Sequence, residues 1–147
     1  MLHISDTIER TLVLPATRST VWQKSFATPE ALASWFPERI DGSFELGGTY
    51  TMIWGEFHCQ CRLVEHIESE SFVFQWHPGA ACEISKYPED QLSTVRFTLS
   101  DHPEGTQVLM VESGFMRIPE DRRVNAFTEN NGGWDSELPK LQKAYAI

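Results

Sequence analysis

The sequence has few basic side chains, and this shortage argues against several functions. Its 147 residues include 12 Lys and Arg but 21 Asp and Glu, which leaves a net charge of −9. Proteins that bind nucleic acid or anionic membranes need a basic surface to contact phosphate groups. We therefore expect neither nucleic acid nor a membrane surface to be a partner.

Long apolar runs and cysteine are also scarce. The run Leu12-Val13-Leu14 is about as long as uncharged apolar runs become, whereas a membrane-spanning helix needs roughly 18 such residues. The N-terminal residues lack the basic and apolar segments of a secretory signal. The sequence has three cysteines, and a disulfide between Cys59 and Cys61 would be strained because they lie two residues apart on one strand. We expect a protein of the reducing cytoplasm.

Signatures of catalytic and metal sites are missing as well. The sequence contains no G-x-S-x-G, no phosphate-binding glycine loop and no H-E-x-x-H. Strand alternation should direct His58 and His66 away from Cys59 and Cys61. The sequence therefore predicts no metal and no cofactor, and no motif in it identifies a catalytic residue. The side chains considered as metal ligands, none with zinc-ligand spacing, are His58, Cys59, Cys61, His66, His77 and Cys82.

Aromatic side chains are plentiful. Nine Phe, five Trp and three Tyr make up 12% of the sequence, and hydrophobic residues make up 41%. A chain of this length removes roughly two-thirds of its unfolded surface from water, so we expect one domain over residues 1–147 with a sizeable core. The rings must either fill this core or line a cavity inside it.

The first part of the chain predicts one strand and two short helices. Apolar residues alternate over 8–14 and stop at a proline. Hydroxyl residues that can cap a helix precede a helical pattern over 19–26. Thr28 and Pro29 begin a second helix, which Pro37 ends.

From Gly42 onward the apolar residues alternate with a period of two, which is typical of β-strands. The short turns between the runs favour an antiparallel sheet. The long irregular segment 77–92 is expected to be an exposed loop. The predicted strands lie around 43–45, 50–54, 57–63, 71–76, 95–99 and 108–110.

A helical period returns after Pro119. Within this stretch Gly132 and Gly133 predict a close approach to the sheet, and Pro139 predicts a kink. A helix of this length can cover one face of the sheet. We therefore predict an α+β fold: a curved antiparallel sheet of about six to seven strands wrapped around a long C-terminal helix. The stripe along this helix consists of Val124, Phe127, Asn131, Trp134, Leu138, Leu141 and Tyr145.

Short motifs along nearly the whole chain follow the order seen in one known family. By these motifs the sequence resembles the START-like helix-grip (SRPBCC) superfamily, and within it the homologues of the activator of heat-shock-protein-90 ATPase. The resemblance implies an apolar cavity between the sheet and the C-terminal helix. The sequence has Glu112 where we expect a histidine before Ser-Gly-Phe, so no role there can rest on an imidazole. The motifs are Ile8-Glu9-Arg10, Pro15-Ala16, Val21-Trp22, Thr28-Pro29-Glu30, Leu32, Trp35-Phe36, 44–48, Leu63-Val64-Glu65, 72–76, 94–99, Gly105-Thr106, Ser113-Gly114-Phe115, Gly133-Trp134, Leu138 and Leu141.

Two carboxylates and an amide are candidates for a polar site within this cavity. Glu112 and Glu65 are each in phase with apolar neighbours on a strand, and Asn131 is the polar member of the helical stripe. Alternatively, the acids pair with Arg10 or Arg96 or lie past a bulge, and the amide satisfies a backbone group. The rings can likewise be ordinary core residues. The predicted cavity-lining residues are Trp35, Phe44, Trp54, Glu65, Phe74, Trp76, Glu112, Phe127, Asn131 and Trp134.

Three functions follow as hypotheses. The first is binding of a small apolar molecule in the cavity without covalent chemistry. The second is a co-chaperone-like interaction module, with a chaperone as its partner, as the resemblance implies. The third is an enzyme of the cyclase or dehydratase kind with Glu112 or Glu65 as general base. We expect a monomer or a homodimer.

Overall fold

The computed structural model describes residues 4–79 and 83–146. Within these residues the strands are β1 (Thr7–Leu14), β2 (Arg39–Gly42), β3 (Thr49–Trp54), β4 (Phe57–Ile67), β5 (Ser71–Trp76), β6 (Ser93–His102) and β7 (Gly105–Ser113). The helices are α1 (Arg18–Ser25), α2 (Pro29–Ala33) and α3 (Glu120–Lys143). Short 3-10 turns lie at Ile84–Lys86, Glu89–Gln91 and Phe115–Arg117.

The seven strands form one antiparallel sheet in the order β1-β7-β6-β5-β4-β3-β2. Strands β2 to β7 lie beside their neighbours in sequence, and β1 pairs with β7. Register places Glu112 opposite Ile8 on one side and Val95 on the other, so these side chains share the face that α3 covers. The predicted α+β helix-grip fold is confirmed.

Hydroxyl caps begin the two short helices, as predicted. Thr17 Oγ1 accepts a hydrogen bond from the Thr20 backbone N–H at 3.2 Å, and Thr28 Oγ1 accepts one from the Ala31 N–H at 3.0 Å. The second helix is shorter than predicted and ends at Ala33. Pro37 disfavours helical geometry in the residue before it, so the chain cannot continue as a helix beyond Phe36.

Helix α3 buries most of the predicted stripe but departs from the prediction in two places. Val124 is 51% exposed. A methyl group at Gly132 or Gly133 would meet no heavy atom within 4 Å, so the predicted close approach to the sheet is wrong. These glycines lie on the exposed side of the helix. The helix continues through Pro139, and a kink there remains a prediction.

Two predictions about loops need correction. The strand predicted over 43–45 is irregular and leads into a turn, in which the Gly48 N–H donates to the Glu45 carbonyl at 2.8 Å. The strand β2 precedes this segment. Gly42 and Gly47 have positive φ values of 102° and 77°, which end the extended run on both sides of this turn. The segment 77–92 is not wholly exposed, since His77, Ile84 and Leu92 are buried.

Aromatic rings fill much of the space under α3. Trp35 and Phe36 stack with ring centroids 4.9 Å apart, and the Phe26 and Phe97 centroids are 5.2 Å apart. Trp134 joins this cluster from the helix, with its centroid 5.5 Å from that of Phe36. Such pairs stabilise a core beyond the burial of their area.

No helix in the described residues is both long enough and apolar enough to cross a bilayer.

Candidate functional site

Glu112 is a buried carboxylate between the sheet and α3. Val108 and Met110 alternate with it along β7, so its side chain points inward, and it is 0% exposed. The two arginines considered as partners bind elsewhere: Arg10 pairs with Asp135 and Arg96 with Glu65. Among the described residues, no cation forms an ion pair with Glu112.

Four side chains donate five hydrogen bonds to the Glu112 carboxylate. Its Oε2 atom accepts from Ser93 Oγ at 2.6 Å, from Trp76 Nε1 at 2.8 Å and from Asn130 Nδ2 at 2.8 Å. Its Oε1 atom accepts from Trp134 Nε1 at 2.8 Å and from Asn130 Nδ2 at 3.0 Å. The carboxylate therefore fixes one indole from β5 and one from α3.

Burial raises the pKa of Glu112 above its ordinary value, because removal from water disfavours the charged form. The hydrogen bonds from Ser93, Trp134, Trp76 and Asn130 favour the charged form and offset part of this effect. Neutral N–H and O–H dipoles stabilise the carboxylate in place of a cation.

Asn130, rather than the predicted Asn131, is the amide of this site. Its Oδ1 atom accepts a hydrogen bond from the Gly79 N–H at 3.0 Å, so it also joins the loop after β5 to α3. Asn131 Oδ1 instead accepts from Arg10 Nη2 at 2.8 Å. Asn130 lies three residues after Phe127 and four before Trp134, and Asn131 lies four after and three before. The helical spacing in the sequence therefore allowed either asparagine to belong to the buried stripe.

A pocket of about 230 Å³ is lined in part by Trp76, Asn130 and Trp134, the side chains that donate to Glu112. Glu112 itself, which we predicted to line the cavity, is not among the lining residues, because these three side chains lie between its carboxylate and the pocket. We call it the indole pocket because three tryptophans contribute to its walls. Among the residues that line it, Phe57 is 42% exposed. The residues that line it are Phe36, Trp54, Phe57, Cys59, Trp76, His77, Pro78, Gly79, Glu129, Asn130, Gly133, Trp134, Ser136 and Glu137.

A polar cluster joins β3 to α3 at the indole pocket. Trp54 Nε1 donates to the Phe36 carbonyl at 2.9 Å and to Glu137 Oε1 at 2.8 Å. Lys140 Nζ lies 2.9 Å from the same Glu137 oxygen and donates to the Phe36 carbonyl at 2.8 Å. These contacts fix the third indole, as Glu112 fixes the other two.

Three of the predicted cavity residues, Trp54, Trp76 and Trp134, line the indole pocket. The other predicted rings pack inside the core instead, because neighbouring rings occupy the space in front of them. Phe44 contacts Tyr50, Phe127 contacts Phe115, Phe74 contacts Phe72 and Trp76, and Trp35 stacks on Phe36.

Glu65 lies outside the pocket, contrary to the prediction. A bulge between Leu63 and Glu65 shifts the register of β4 against β5, which places Glu65 on the opposite face from Leu63. Its carboxylate accepts hydrogen bonds from Ser71 Oγ at 2.6 Å and from Arg96 Nη1 at 2.8 Å. These two bonds lower the pKa of Glu65.

The same bulge reverses the prediction for His66. Its ring lies on the inner face, where Nε2 is 3.0 Å from the Phe26 carbonyl and the ring packs on Trp22. The described residues contain no group of three or more His, Cys, Asp or Glu side chains that could hold a metal ion. Cys82 lies outside the described residues.

His77 is a pocket residue that the sequence did not single out for binding. It is buried, and its ring packs on that of Tyr87 with centroids 4.0 Å apart and a tilt of 31° between the rings. Nδ1 is 3.0 Å from the Pro78 carbonyl, which can only accept, so Nδ1 carries the proton. Nε2 has no hydrogen-bond partner in the part of the chain that the structure describes. Burial lowers the pKa of His77, which favours the neutral ring.

The antiparallel sheet, the long helix across its inner face and the pocket between them define a helix-grip protein. The family model for activator of Hsp90 ATPase homolog 1-like protein matches residues 15–146. The chain belongs to this family, which confirms the resemblance seen in the sequence. A search among curated protein sequences finds no match.

Several solved structures share the fold. The Aha1 dimer from Colwellia psychrerythraea has a TM-score of 0.73 at 18% identity, over 96% of this chain and 96% of that one. The protein MLL2253 from Mesorhizobium loti has a TM-score of 0.71 at 20% identity, over 93% and 94%. DynU16, a putative protein in the dynemicin biosynthetic locus, has a TM-score of 0.71 at 17% identity, over 95% of this chain and 46% of that one. At these identities the similarity shows the fold alone.

Proposed function

We propose that this protein binds a small, mainly apolar molecule in the indole pocket. One observation carries the proposal: Trp54, Trp76 and Trp134 line the pocket, and the N–H group of each is already bound to a protein acceptor. Indoles held in this way have limited freedom to rotate and offer their apolar surfaces to a ligand. A site that is ordered before binding loses less entropy when the ligand enters.

The volume of the pocket limits the size of this molecule. An apolar cavity of about 150 Å³ holds benzene. The indole pocket, at about 230 Å³, therefore suits a single ring with a short substituent. This is smaller than the range of roughly 300 to 1,000 Å³ that is typical of drug-sized ligands.

Titration of the protein with three single-ring probes, benzylamine, benzyl alcohol and benzoate, tests the proposal. The indole N–H resonances of Trp54, Trp76 and Trp134 should shift in the NMR spectrum, while that of Trp22, which lies in the core, should not. The proposal fails if no probe shifts the three pocket resonances selectively at millimolar concentration.

Two glycine variants provide a matched control for this titration. Gly133 lines the pocket and Gly132 does not, and added side-chain atoms at either position begin in open space. Gly133→Leu should abolish binding of the probes by occupying the pocket, whereas Gly132→Leu should leave it unchanged. Equal binding to both variants would place the probes elsewhere and overturn the proposal.

Interaction with a chaperone is the alternative that membership of the Hsp90 ATPase activator family supports. A module of this kind acts through its surface and does not need the indole pocket. Direct titration against the Hsp90 of the same organism tests it. Binding that survives Gly133→Leu would favour this alternative, and the absence of any heat of binding would count against it.

Catalysis by Glu112 or Glu65 has less support. Glu112 accepts five hydrogen bonds and is fully buried, so no oxygen is free to take a proton from a substrate. Glu65 is bound to Ser71 and Arg96 outside the pocket. We assign Glu112 a positioning role for the walls of the pocket.

The cytoplasm remains our expectation for the compartment. Cys59 and Cys61 are free thiols and both are buried, which agrees with a reducing environment. A monomer or a homodimer remains our prediction for the state of assembly, and the relative from Colwellia psychrerythraea is a dimer.

A further inference from the structure

We propose that the ligand of the indole pocket is a small organic cation, with an ammonium group on an apolar body of about one ring. This inference rests on the proposed function, because it names the class of ligand for that site. It follows from an inventory of the polar atoms around the pocket.

The nitrogen donors of the three indoles are all occupied by protein acceptors. Trp54 Nε1 donates to the Phe36 carbonyl and to Glu137. Trp76 Nε1 and Trp134 Nε1 donate to Glu112. None of these N–H groups is free to bind an anion or a carbonyl oxygen of a ligand.

Other donors around the pocket, apart from the Ser136 hydroxyl, are occupied in the same way. Asn130 Nδ2 donates to Glu112, and the Gly79 N–H donates to Asn130 Oδ1. His77 Nδ1 donates to the Pro78 carbonyl, whereas Ser136 Oγ lies 3.5 Å from the Gly132 carbonyl, which is too long for a strong hydrogen bond. Neither Lys nor Arg is among the described residues that line the pocket. A ligand that carries only acceptors would therefore replace few of the hydrogen bonds that it makes to water.

The charged groups of the lining are carboxylates. Glu137 is paired with Lys140, so its charge is largely neutralised. Glu129 is exposed and has no ion-pair partner or hydrogen-bond partner among the described residues. Its negative charge at the edge of the pocket favours a positive group on the ligand.

Aromatic faces add to this preference. The face of an aromatic ring is electrically negative, and tryptophan attracts cations most strongly. Three tryptophans and two phenylalanines line the pocket. Rings, carboxylates and occupied donors all favour a ligand that brings positive charge and its own hydrogen-bond donors.

The three single-ring probes separate charge from shape. Benzylamine is a cation at neutral pH, benzyl alcohol is its neutral counterpart and benzoate is an anion. We expect benzylamine to bind about tenfold more tightly than benzyl alcohol, and benzoate to bind most weakly. The dissociation constants come from the shifts of the Trp54, Trp76 and Trp134 indole resonances.

A pair of charge variants shows whether the preference arises at the pocket. Glu129→Gln should reduce the preference for benzylamine to about threefold. Glu104→Gln removes the same charge at the β6–β7 turn and should leave the preference unchanged. Equal binding of benzylamine and benzyl alcohol would overturn the cation inference and leave the proposed function intact. Failure of all three probes to bind would overturn both.

Discussion

Glu112 organises much of the candidate site through one side chain. A carboxylate has about four lone pairs on two oxygens, so it can accept bonds from several donors at once. An imidazole, which we expected at this position, has only two ring nitrogens and could not accept all five bonds. The carboxylate holds Trp76, Trp134, Ser93 and Asn130 in one arrangement. The negative charge at this position therefore has a structural purpose.

Glu112 should make the stability of the protein depend on pH. Because its pKa is raised in the folded state, the folded protein holds this proton more tightly than the unfolded chain does. The stabilisation from this proton is fully present below the pKa that Glu112 has in the unfolded chain. It is lost as the pH rises through the pKa that Glu112 has in the folded protein. Relative to Glu112→Gln, which cannot titrate there, the free energy of unfolding of the wild type should fall with rising pH. The slope should reach at most about 1.4 kcal/mol per pH unit.

Urea unfolding of both proteins at several pH values between about 4 and 8 measures this difference. The other titratable groups are common to the two proteins and largely cancel when one curve is subtracted from the other. Glu112→Gln also places an amide N–H₂ group among the donors, which should lower its stability at every pH. A difference that stays constant or rises with pH would contradict a raised pKa for Glu112.

At the scale of single elements, α3 and the β6–β7 hairpin use glycine in opposite ways. A methyl group at Gly132 would meet open space in a helix, whereas one at Gly105 would lie 2.1 Å from the Leu14 carbonyl oxygen. Gly105 also has a positive φ of 138°, which other residues rarely adopt. The glycine in the helix therefore costs stability, and the glycine in the turn is required.

Gly132→Ala should raise the free energy of unfolding by about 1 kcal/mol, because alanine favours a helix over glycine by this amount. Gly105→Ala should lower it by about 2 kcal/mol or more through strain and a backbone clash. Thermal and urea unfolding of the two variants beside the wild type measure both effects. A destabilised Gly132→Ala protein would contradict the open position that the structure gives this residue.

The periodicity of apolar residues predicted most of the strands and helices. It failed where one extra residue shifts the alternation of side chains between the two faces of a strand. The alternation in β7 correctly predicted that the side chain of Glu112 points inward. In β4 the extra residue Val64 reverses the faces of Glu65 and His66, and nothing in the local sequence marks that bulge. On α3 the spacing of two adjacent asparagines is compatible with the buried stripe. Only the position of the Glu112 carboxylate decides that Asn130 is the one that binds it. The site depends on contacts between distant elements, which spacing along one element does not reveal.

At the scale of the whole molecule, the aromatic residues have two uses. Most rings fill the space between the sheet and α3, and a smaller group lines the indole pocket. Separate contacts join α3 and the residues just after it to the rest of the protein. Arg10 bonds to Asp135, the Glu112 cluster holds Trp134, and the Tyr145 hydroxyl lies 2.7 Å from Ser25 Oγ. A helix fixed at several points keeps the pocket open although most of the interior is packed.

The net charge of −9 should act on a cationic ligand over the whole surface. Salt shortens the range of this field from about 30 Å at 0.01 M to about 3 Å at 1 M. The dissociation constant of benzylamine should therefore rise several-fold between these concentrations, while that of benzyl alcohol should change little, because a neutral ligand gains nothing from the field. Titrations in sodium chloride measure both constants, and Glu129→Gln should reduce the salt dependence for benzylamine. A parallel change for the two ligands would mean that salt acts on the protein or on apolar burial, and the electrostatic explanation would then be wrong.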